Sequence, residues 1–296
     1  MPTLNQISKI YPRLANERNN WKYNPPEAAL SEKNILVTGA GDGIGLAISK
    51  TFACYGANIL LLGKTRTKLE VAFDWITANT STNPTIIPCD LSQMDSEAVT
   101  KLVDLISEHY ETLHGLINNA SMLGPRVPIP HYPDQEWQKV FQINAIAPFI
   151  LTKGLFNLLD SSENACVINM SSGVGQKGRA YWGAYSASKF ALEGFSQILA
   201  DETEEAKRIK VYCVNPGATR TKMRKEAYPL EDANELSTPE SYLDLFIALM
   251  EGGESHITVP ISGSQINAQD WSFDLKSDHL SSPTNRSKPN QNPKLG

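Results

Sequence analysis

Thr38-Gly39-Ala40-Gly41-Asp42-Gly43-Ile44-Gly45 is the stretch on which the fold turns. It closes an apolar run, Asn34–Thr38, and opens an amphipathic one, Gly43–Tyr55, so a glycine-rich turn joins a strand to a helix. The glycines serve different ends. Gly39 permits the tight turn, Gly43 admits a pyrophosphate close to the backbone, and Gly45 lets the helix pack on the strand. A diphosphate here would meet free amides and the positive end of a helix dipole, with Gly41, Asp42 and Ile44 completing the loop. Glycines alone would equally suit a turn that merely needs them. The strand before and the helix after favour a dinucleotide site over that alternative.

Outward from that loop the pattern repeats. Strands are expected at Asn34–Thr38, Ala57–Leu62, Thr85–Cys89, Leu113–Asn118, Cys166–Met170, Val211–Asn215 and His256–Val259, all rich in Ile, Val and Leu, as in strands covered on both faces. Helices are expected at Gly43–Tyr55, Thr65–Ala78, Met94–Tyr110, Asp134–Leu159, Tyr185–Glu205 and Pro239–Met250. Gly56 is placed to cap the first, and Thr238-Pro239 to start the last. This alternation predicts an α/β domain over residues 34–271, a doubly wound parallel sheet with right-handed crossovers. Residues 1–33 form an extension in which Trp21, Tyr23 and Pro25-Pro26 suggest an arm on the domain surface, a loose leader being the alternative. The tail, 272–296, is too rich in Ser, Pro, Asn and Lys for a core and is expected to be disordered.

Composition removes several function classes. A net charge of −5 over 296 residues leaves no basic stripe for nucleic acid. No apolar run reaches membrane-spanning length, since even Ile143–Leu159 is broken by Asn144, Pro148 and Lys153. Met1–Lys33 has no apolar signal core. The four cysteines lie far apart, three of them in strand-like runs, and the five histidines show no ligand spacing. Buried reduced thiols, a cytoplasmic setting and no metal are the expectation.

The second strand ends Leu62-Gly63-Lys64-Thr65-Arg66, with no carboxylate before Glu70 to accept from a ribose 2′-hydroxyl. Lys64, Thr65 and Arg66 suit a 2′-phosphate, so NADP is read in preference to NAD, although Asp42 nearby opposes a phosphate and the two cations also fit a solvated loop. Asp90-Leu91 closes the third strand, where the carboxylate can meet an adenine amino group or cap a turn. Asn118-Asn119-Ala120 closes the fourth, where side-chain amides can brace neighbouring strand ends. Tyr185-Ser186-Ala187-Ser188-Lys189 sets a phenol and an ammonium four apart on one helix face. A phenol of pKa ~10 is a poor acid–base group at neutral pH, and a nearby cation is expected to lower it. Ser172, thirteen residues before Tyr185, can hold a substrate oxygen. Asn144 can anchor a water in a proton relay behind Lys189, and Pro216-Gly217 with Thr221 can grip a carboxamide. These strand ends are carboxyl ends, the edge where open α/β sheets bind ligands.

Taken together, Thr38–Gly45, Asp90, Asn118–Ala120, Asn144, Ser171-Ser172, Tyr185–Lys189 and Pro216-Gly217 with Thr221 resemble the short-chain dehydrogenase/reductase family in order and spacing, over residues 34–260. The resemblance implies a Rossmann-type, seven-stranded single domain and a tetrad of Asn144, Ser172, Tyr185 and Lys189. It also implies hydride transfer between a nicotinamide, held partly by Lys189 at its ribose, and a carbonyl or alcohol substrate, in a homodimer or homotetramer. A narrower likeness, to bacterial YciK-type oxidoreductases, rests on Gly178–Tyr185, Ala200-Asp201-Glu202 and Thr219–Arg224. Ser121 departs from the family, which usually continues Asn-Asn-Ala with glycine.

Around this site, Ala218–Leu236 reads as a mobile flap. Trp182 can line the pocket or pack an interface. Arg126, Arg179, Arg220 and Arg224 sit on nearby loops, favouring an anionic substrate or simply facing solvent. Phe190, Leu192, Phe195, Ile198 and Leu199 make Tyr185–Glu205 apolar on more than one side, suited to self-association or to full burial. Two rival readings remain: a non-catalytic NADP-sensing protein, which has no need of the tetrad, and a methyltransferase, which the cations at Lys64–Arg66 contradict.

Overall fold

The computed structural model describes residues 2–252 and 258–272. Seven parallel strands form one sheet in the order β3-β2-β1-β4-β5-β6-β7. They are β1 (Asn34–Thr38), β2 (Asn58–Gly63), β3 (Thr85–Pro88), β4 (Gly115–Asn118), β5 (Ala165–Met170), β6 (Ile209–Asn215) and β7 (Gln265–Asn267). The chain starts in the middle and winds outward twice, so the direction reverses between β1 and β4. There the carboxyl ends open a crevice. Register is set by the apolar strands themselves, with Val37 of β1 opposite Leu61 on one side and Ile117 on the other.

Alternation along each strand feeds two core layers. Ile35, Val37, Ile59 and Leu61 point to one, Leu36, Leu60, Leu62 and Leu116 to the other. Helices cover both. The first face carries α3 (Gly43–Cys54), α4 (Arg66–Asn79) and α11 (Leu243–Glu251). The second carries α5 (Ser96–Ser107), α7 (Ala147–Gly154) and α9 (Gly183–Thr203). Between α5 and α9 lie α6 (Asp134–Phe141) and α8 (Phe156–Asp160), and α10 (Lys222–Ala227) follows β6.

The N-terminal extension is built into the first layer. Its helices α1 (Leu4–Ile10) and α2 (Pro12–Arg18) bury Ile7 and Leu14, and Leu30 is buried where its amide donates to the Tyr55 carbonyl at 3.0 Å. Burying three aliphatic side chains stabilises the attachment by on the order of 5 kcal/mol before ordering entropy is counted. Polar contacts fix its direction: the Tyr11 hydroxyl donates to Glu240 at 2.7 Å, and the Lys22 and Tyr23 amides donate to Asp244 at 2.7 and 3.1 Å. Apolar residues spaced over a polar stretch concealed α1 and α2 from a reading by periodicity.

Two expected elements differ. The single helix Asp134–Leu159 is divided into α6, a π-helical turn (Gln142–Ile146), α7 and α8. The seventh strand is Gln265–Asn267, pairing with Cys213–Asn215 of β6, and not His256–Val259. Of that stretch, His256 and Ile257 lie outside the described residues, and residues 258–261 form no strand. A three-residue edge strand in which only Ile266 is buried carries too little apolar signal to read. The polar tail lies, from residue 273, outside the described residues.

Candidate active site

A cavity of about 1140 Å³ runs along the carboxyl edge of the sheet, from the loop after β2, past the β1–α3 loop, to the start of α9. At its centre, Gly39 and Gly43 hold positive φ of 66° and 52°, the left-handed region that side chains disfavour. Asp42 caps α3 by accepting from the Gly43 amide at 2.8 Å, and pairs with Lys68 at 2.5 Å. Those bonds hold its carboxyl below the usual range, the Lys68 contact contributing most. Gly45 does not line the cavity. A Cβ there would sit 2.4 Å from the Gly39 carbonyl and 2.5 Å from the Asn119 amide, so its role is the close approach of α3 to the turn.

At the β2 end, Lys64, Thr65 and Lys68 line the cavity, and Arg66 does not. Arg66 begins α4 and turns back to Glu70 at 2.8 Å, one helical turn on, where both side chains are well exposed. Lys68 therefore stands where Arg66 was expected. An i,i+4 pairing inside a helix start was the missed signal. Asp90 lines the cavity and also caps the turn after β3, accepting from the Ser92 amide at 2.9 Å, a bond that lowers its pKa. Leu91, Asn119, Ala120, Pro216, Gly217 and Thr221 line the same cavity. The Asn118–Ala120 amides brace strand ends: Asn118 donates to Asn169 at 2.8 Å, Asn119 to the Thr38 carbonyl at 2.9 Å.

The far wall is made of side chains. Ser172, at the end of β5, and Tyr185 and Lys189, on the first turns of α9, line it together. Helical spacing places phenol and ammonium on one face, with Lys189 Nζ 5.6 Å from the Tyr185 ring centroid. The ammonium donates to the Met170 carbonyl at 2.7 Å. Burial pushes Lys189 down to about 8, with Cys213 and Glu193 pulling weakly the other way. Burial also raises the Tyr185 phenol, against the expectation that lysine would lower it. The downward pull on the phenol comes from the Ser172 and Ser121 hydroxyls.

Asn144 is fully buried in the π-helical turn and does not line the cavity. Its amide nitrogen donates to the Met122 carbonyl (2.9 Å) and Ser188 hydroxyl (3.1 Å), and its oxygen accepts from Met122 N (2.7 Å) and Ser121 Oγ (3.1 Å). It fastens the β4 loop to α9, and these bonds do not include Lys189. Such turns, with one extra residue in the helix, recur at functional sites because they redirect a side chain.

Over the cavity mouth lies the stretch 218–236, containing α10. The four arginines brace it. Arg220 donates to the Asn234 and Leu236 carbonyls, Arg224 forks onto Glu231, Arg179 donates to the Tyr228 hydroxyl, and Arg126 donates to the Ala227 carbonyl while stacking on Trp182. Only Arg126 and Arg224 line the cavity. On α9, Leu192 and Leu199 are buried while Phe190 and Ile198 stay exposed.

A doubly wound sheet with a glycine cradle at its crevice and a Ser–Tyr–Lys wall opposite defines an oxidoreductase of the dehydrogenase type. The short chain dehydrogenase family model matches residues 33–232, and the chain belongs to that family. It is 43% identical over 228 residues to the uncharacterized oxidoreductase YciK of Escherichia coli K12, covering 77% of this chain and 90% of that one. The crystal structure of E. coli YciK superposes with a TM-score of 0.79 at 42% identity, over 83% of this chain and 99% of that. A short chain dehydrogenase from Shigella flexneri 2a, in complex with NADP, gives 0.78 at 42% identity, over 82% and 100%. Among the described residues, no helix is long and apolar enough to cross a membrane, and no group of three or more His, Cys, Asp or Glu could hold a metal.

Proposed function

We propose that this chain is an NADP-dependent oxidoreductase that moves hydride between a nicotinamide and a carbonyl or secondary-alcohol carbon of a small molecule, with Tyr185 as general acid and base. The observation that carries the reading is one continuous cavity with Gly39–Gly43 at its centre and Ser172, Tyr185 and Lys189 on its far wall.

The cradle fits a dinucleotide. Two left-handed glycines and the start of α3, beyond the Gly43 amide that Asp42 caps, suit backbone approach of a diphosphate. Lys64, Thr65 and Lys68 would take a 2′-phosphate, Asp90 and Leu91 the adenine side, Lys189 the nicotinamide ribose, and Pro216-Gly217 with Thr221 the carboxamide. When bound, the nicotinamide supplies or accepts the hydride. NADP and NADPH complexes of relatives at 42% identity support the choice of phosphorylated cofactor.

The chain's own groups handle the proton. Ser172 holds the substrate oxygen beside Tyr185, which delivers its phenolic proton to that oxygen as the carbonyl is reduced. Burial keeps the phenol protonated until it is needed, which suits an acid in the reductive direction. Lys189, held near 8, is a cation at neutral pH and favours the phenolate that remains. In oxidation the same atoms work in reverse. The exposed Phe190 and Ile198 of α9 suit a dimer or tetramer built on that helix.

Replacing Tyr185 by Phe tests the assignment. NADPH binding, followed by fluorescence titration, should change by less than about twofold. Turnover against a panel of carbonyl compounds should fall by about 10³-fold. A variant that kept most of its activity would refute the role of Tyr185.

A further inference from the structure

The face of α9 that carries Tyr185 and Lys189 continues one helical turn further, to Glu193. This side chain is buried, does not line the cavity and takes no part in the proton transfer proposed for Tyr185. A buried carboxyl costs stability unless it is bonded, and burial pushes its pKa up. Glu193 Oε1 accepts from the hydroxyl of Ser171, just past the end of β5. The residue before that serine is Met170, whose carbonyl accepts from Lys189 Nζ at 2.7 Å. The residue after it is Ser172, which lines the cavity with Tyr185.

Three side-chain bonds thus join α9 to this strand end: Lys189 to the Met170 carbonyl, Ser171 to Glu193, and Asn169 to the Ser196 hydroxyl at 2.8 Å. Only the middle one lies between the acceptor of the ammonium and the serine assigned to the substrate oxygen. Ser171 has little freedom. Its amide donates to the Val214 carbonyl of β6 at 2.8 Å. A Cβ at Gly175 would stand 2.7 Å from its Oγ and 2.9 Å from Lys189 Cβ, so the turn after β5 closes on serine and lysine together. A serine hydroxyl has one proton, and here a group fixed on a long helix takes it. The strand end is therefore held from both sides, by β6 through its backbone and by α9 through Glu193.

We propose that Glu193 is a positioning residue for Lys189: through Ser171 it fixes the Met170 carbonyl, and with it the place where the ammonium meets the nicotinamide ribose. The proposal rests on the reading of Lys189 as a group that holds that ribose. Glu193 itself stays behind the cavity wall, so whatever it contributes reaches the cofactor through the lysine. The Asn169–Ser196 bond supplies an internal control, because it joins the same strand to the same helix without adjoining the Met170 carbonyl.

The test is fluorescence titration of the full chain with NADPH, with thermal melting recorded for each variant. Glu193→Ala and Ser171→Ala should each weaken NADPH by about three- to tenfold, the size of one hydrogen bond, and the two together should do no worse than either alone. Ser171→Ala stands in if Glu193→Ala fails to fold. Glu193→Gln, which keeps the acceptor oxygen without the charge, should bind within about twofold of wild type. Added to Lys189→Met, Glu193→Ala should bring no further loss. Ser196→Ala should lower the melting temperature and leave affinity unchanged. Native affinity in Ser171→Ala, losses that add in the Glu193→Ala and Lys189→Met pair, or a Glu193→Gln as weak as Glu193→Ala would each overturn the proposal. Native affinity in Lys189→Met alone is a different failure, since it removes the lysine from the cofactor site and with it the reading beneath the proposal.

Discussion

The two ends of the cavity are made of different material. The cradle at β1–α3 is backbone: its shape depends on what Gly39, Gly43 and Gly45 lack, and its charged side chains, Asp42 and Lys68, are about half exposed. The wall at β5–α9 is side chain: Tyr185, Lys189, Glu193 and Ser171 are all buried, with Ser171 bonded to Glu193 and Lys189 to the Met170 carbonyl. Charge at the cradle is screened by water and contributes little per residue, whereas charge at the wall has been removed from water. Adding atoms should therefore hurt the cradle, and removing or recharging atoms should affect the wall.

At the cradle the largest effect is expected from Gly45→Ala. The added methyl would stand 2.4 Å from a backbone carbonyl that has no rotamer to escape into. Overpacking of this kind costs about 3 kcal/mol of stability, which urea unfolding should show, and displacement of the turn to relieve it should weaken NADPH binding in fluorescence titration. Unchanged affinity would mean that the turn is not rigid, and the contrast between backbone and side-chain ends would fail there.

Lys189 gives the wall's counterpart, expressed in pH. Its native pKa lies near 8, against 10.5 for the free side chain. Between those values the unfolded chain holds a proton that the native state has released, so this group makes stability rise with pH across that window. Below pH 8 both states are charged and the native one bears the whole burial penalty. Lys189→Met removes the penalty. Measured by urea unfolding at a series of pH values, wild type should gain on the variant by about 3 kcal/mol from pH 8 to 10.5. A buried thiol such as Cys166, raised to about 12, acts oppositely above pH 9 in both proteins and cancels in the difference.

The same contrast decides what could be read from the chain alone. Glycines at fixed offsets after an apolar run are visible, because a backbone site is local: Gly39 to Gly45 lie within one turn and one helix start. Tyr185 and Lys189 are visible for a similar reason, being one helical turn apart. The supports of the wall are not. Ser121 reaches Asn144 across 23 residues, Asn144 reaches Ser188 across 44, and Ser171 meets Glu193 across 22, through strand and helix ends that only the folded sheet brings together. Arg66 misled for the opposite reason. As a residue following β2 it suited a phosphate, yet as the first residue of α4 it had Glu70 in reach one turn away. Of the arm read from Trp21 and Tyr23, the two helices were hidden because Ile7 and Leu14 stand among polar residues that blur any period.

The smallest effects should fall on the exposed charges of the cradle, and they separate Lys68 from Arg66. Lys68 lines the cavity, and its pair with Asp42 is a surface contact that a bound phosphate can replace at little cost. Lys68→Ala should reduce the preference for NADPH over NADH by about three- to tenfold, and more at low salt, because the lost attraction is screened. Arg66 has 70% of its side chain exposed and points to Glu70, so Arg66→Ala should change the preference by less than about twofold. Competitive titration of the two dinucleotides against each variant distinguishes them. Equal losses would show that Arg66 leaves Glu70 and swings to the phosphate on binding, making the rim of the cradle a side-chain site after all.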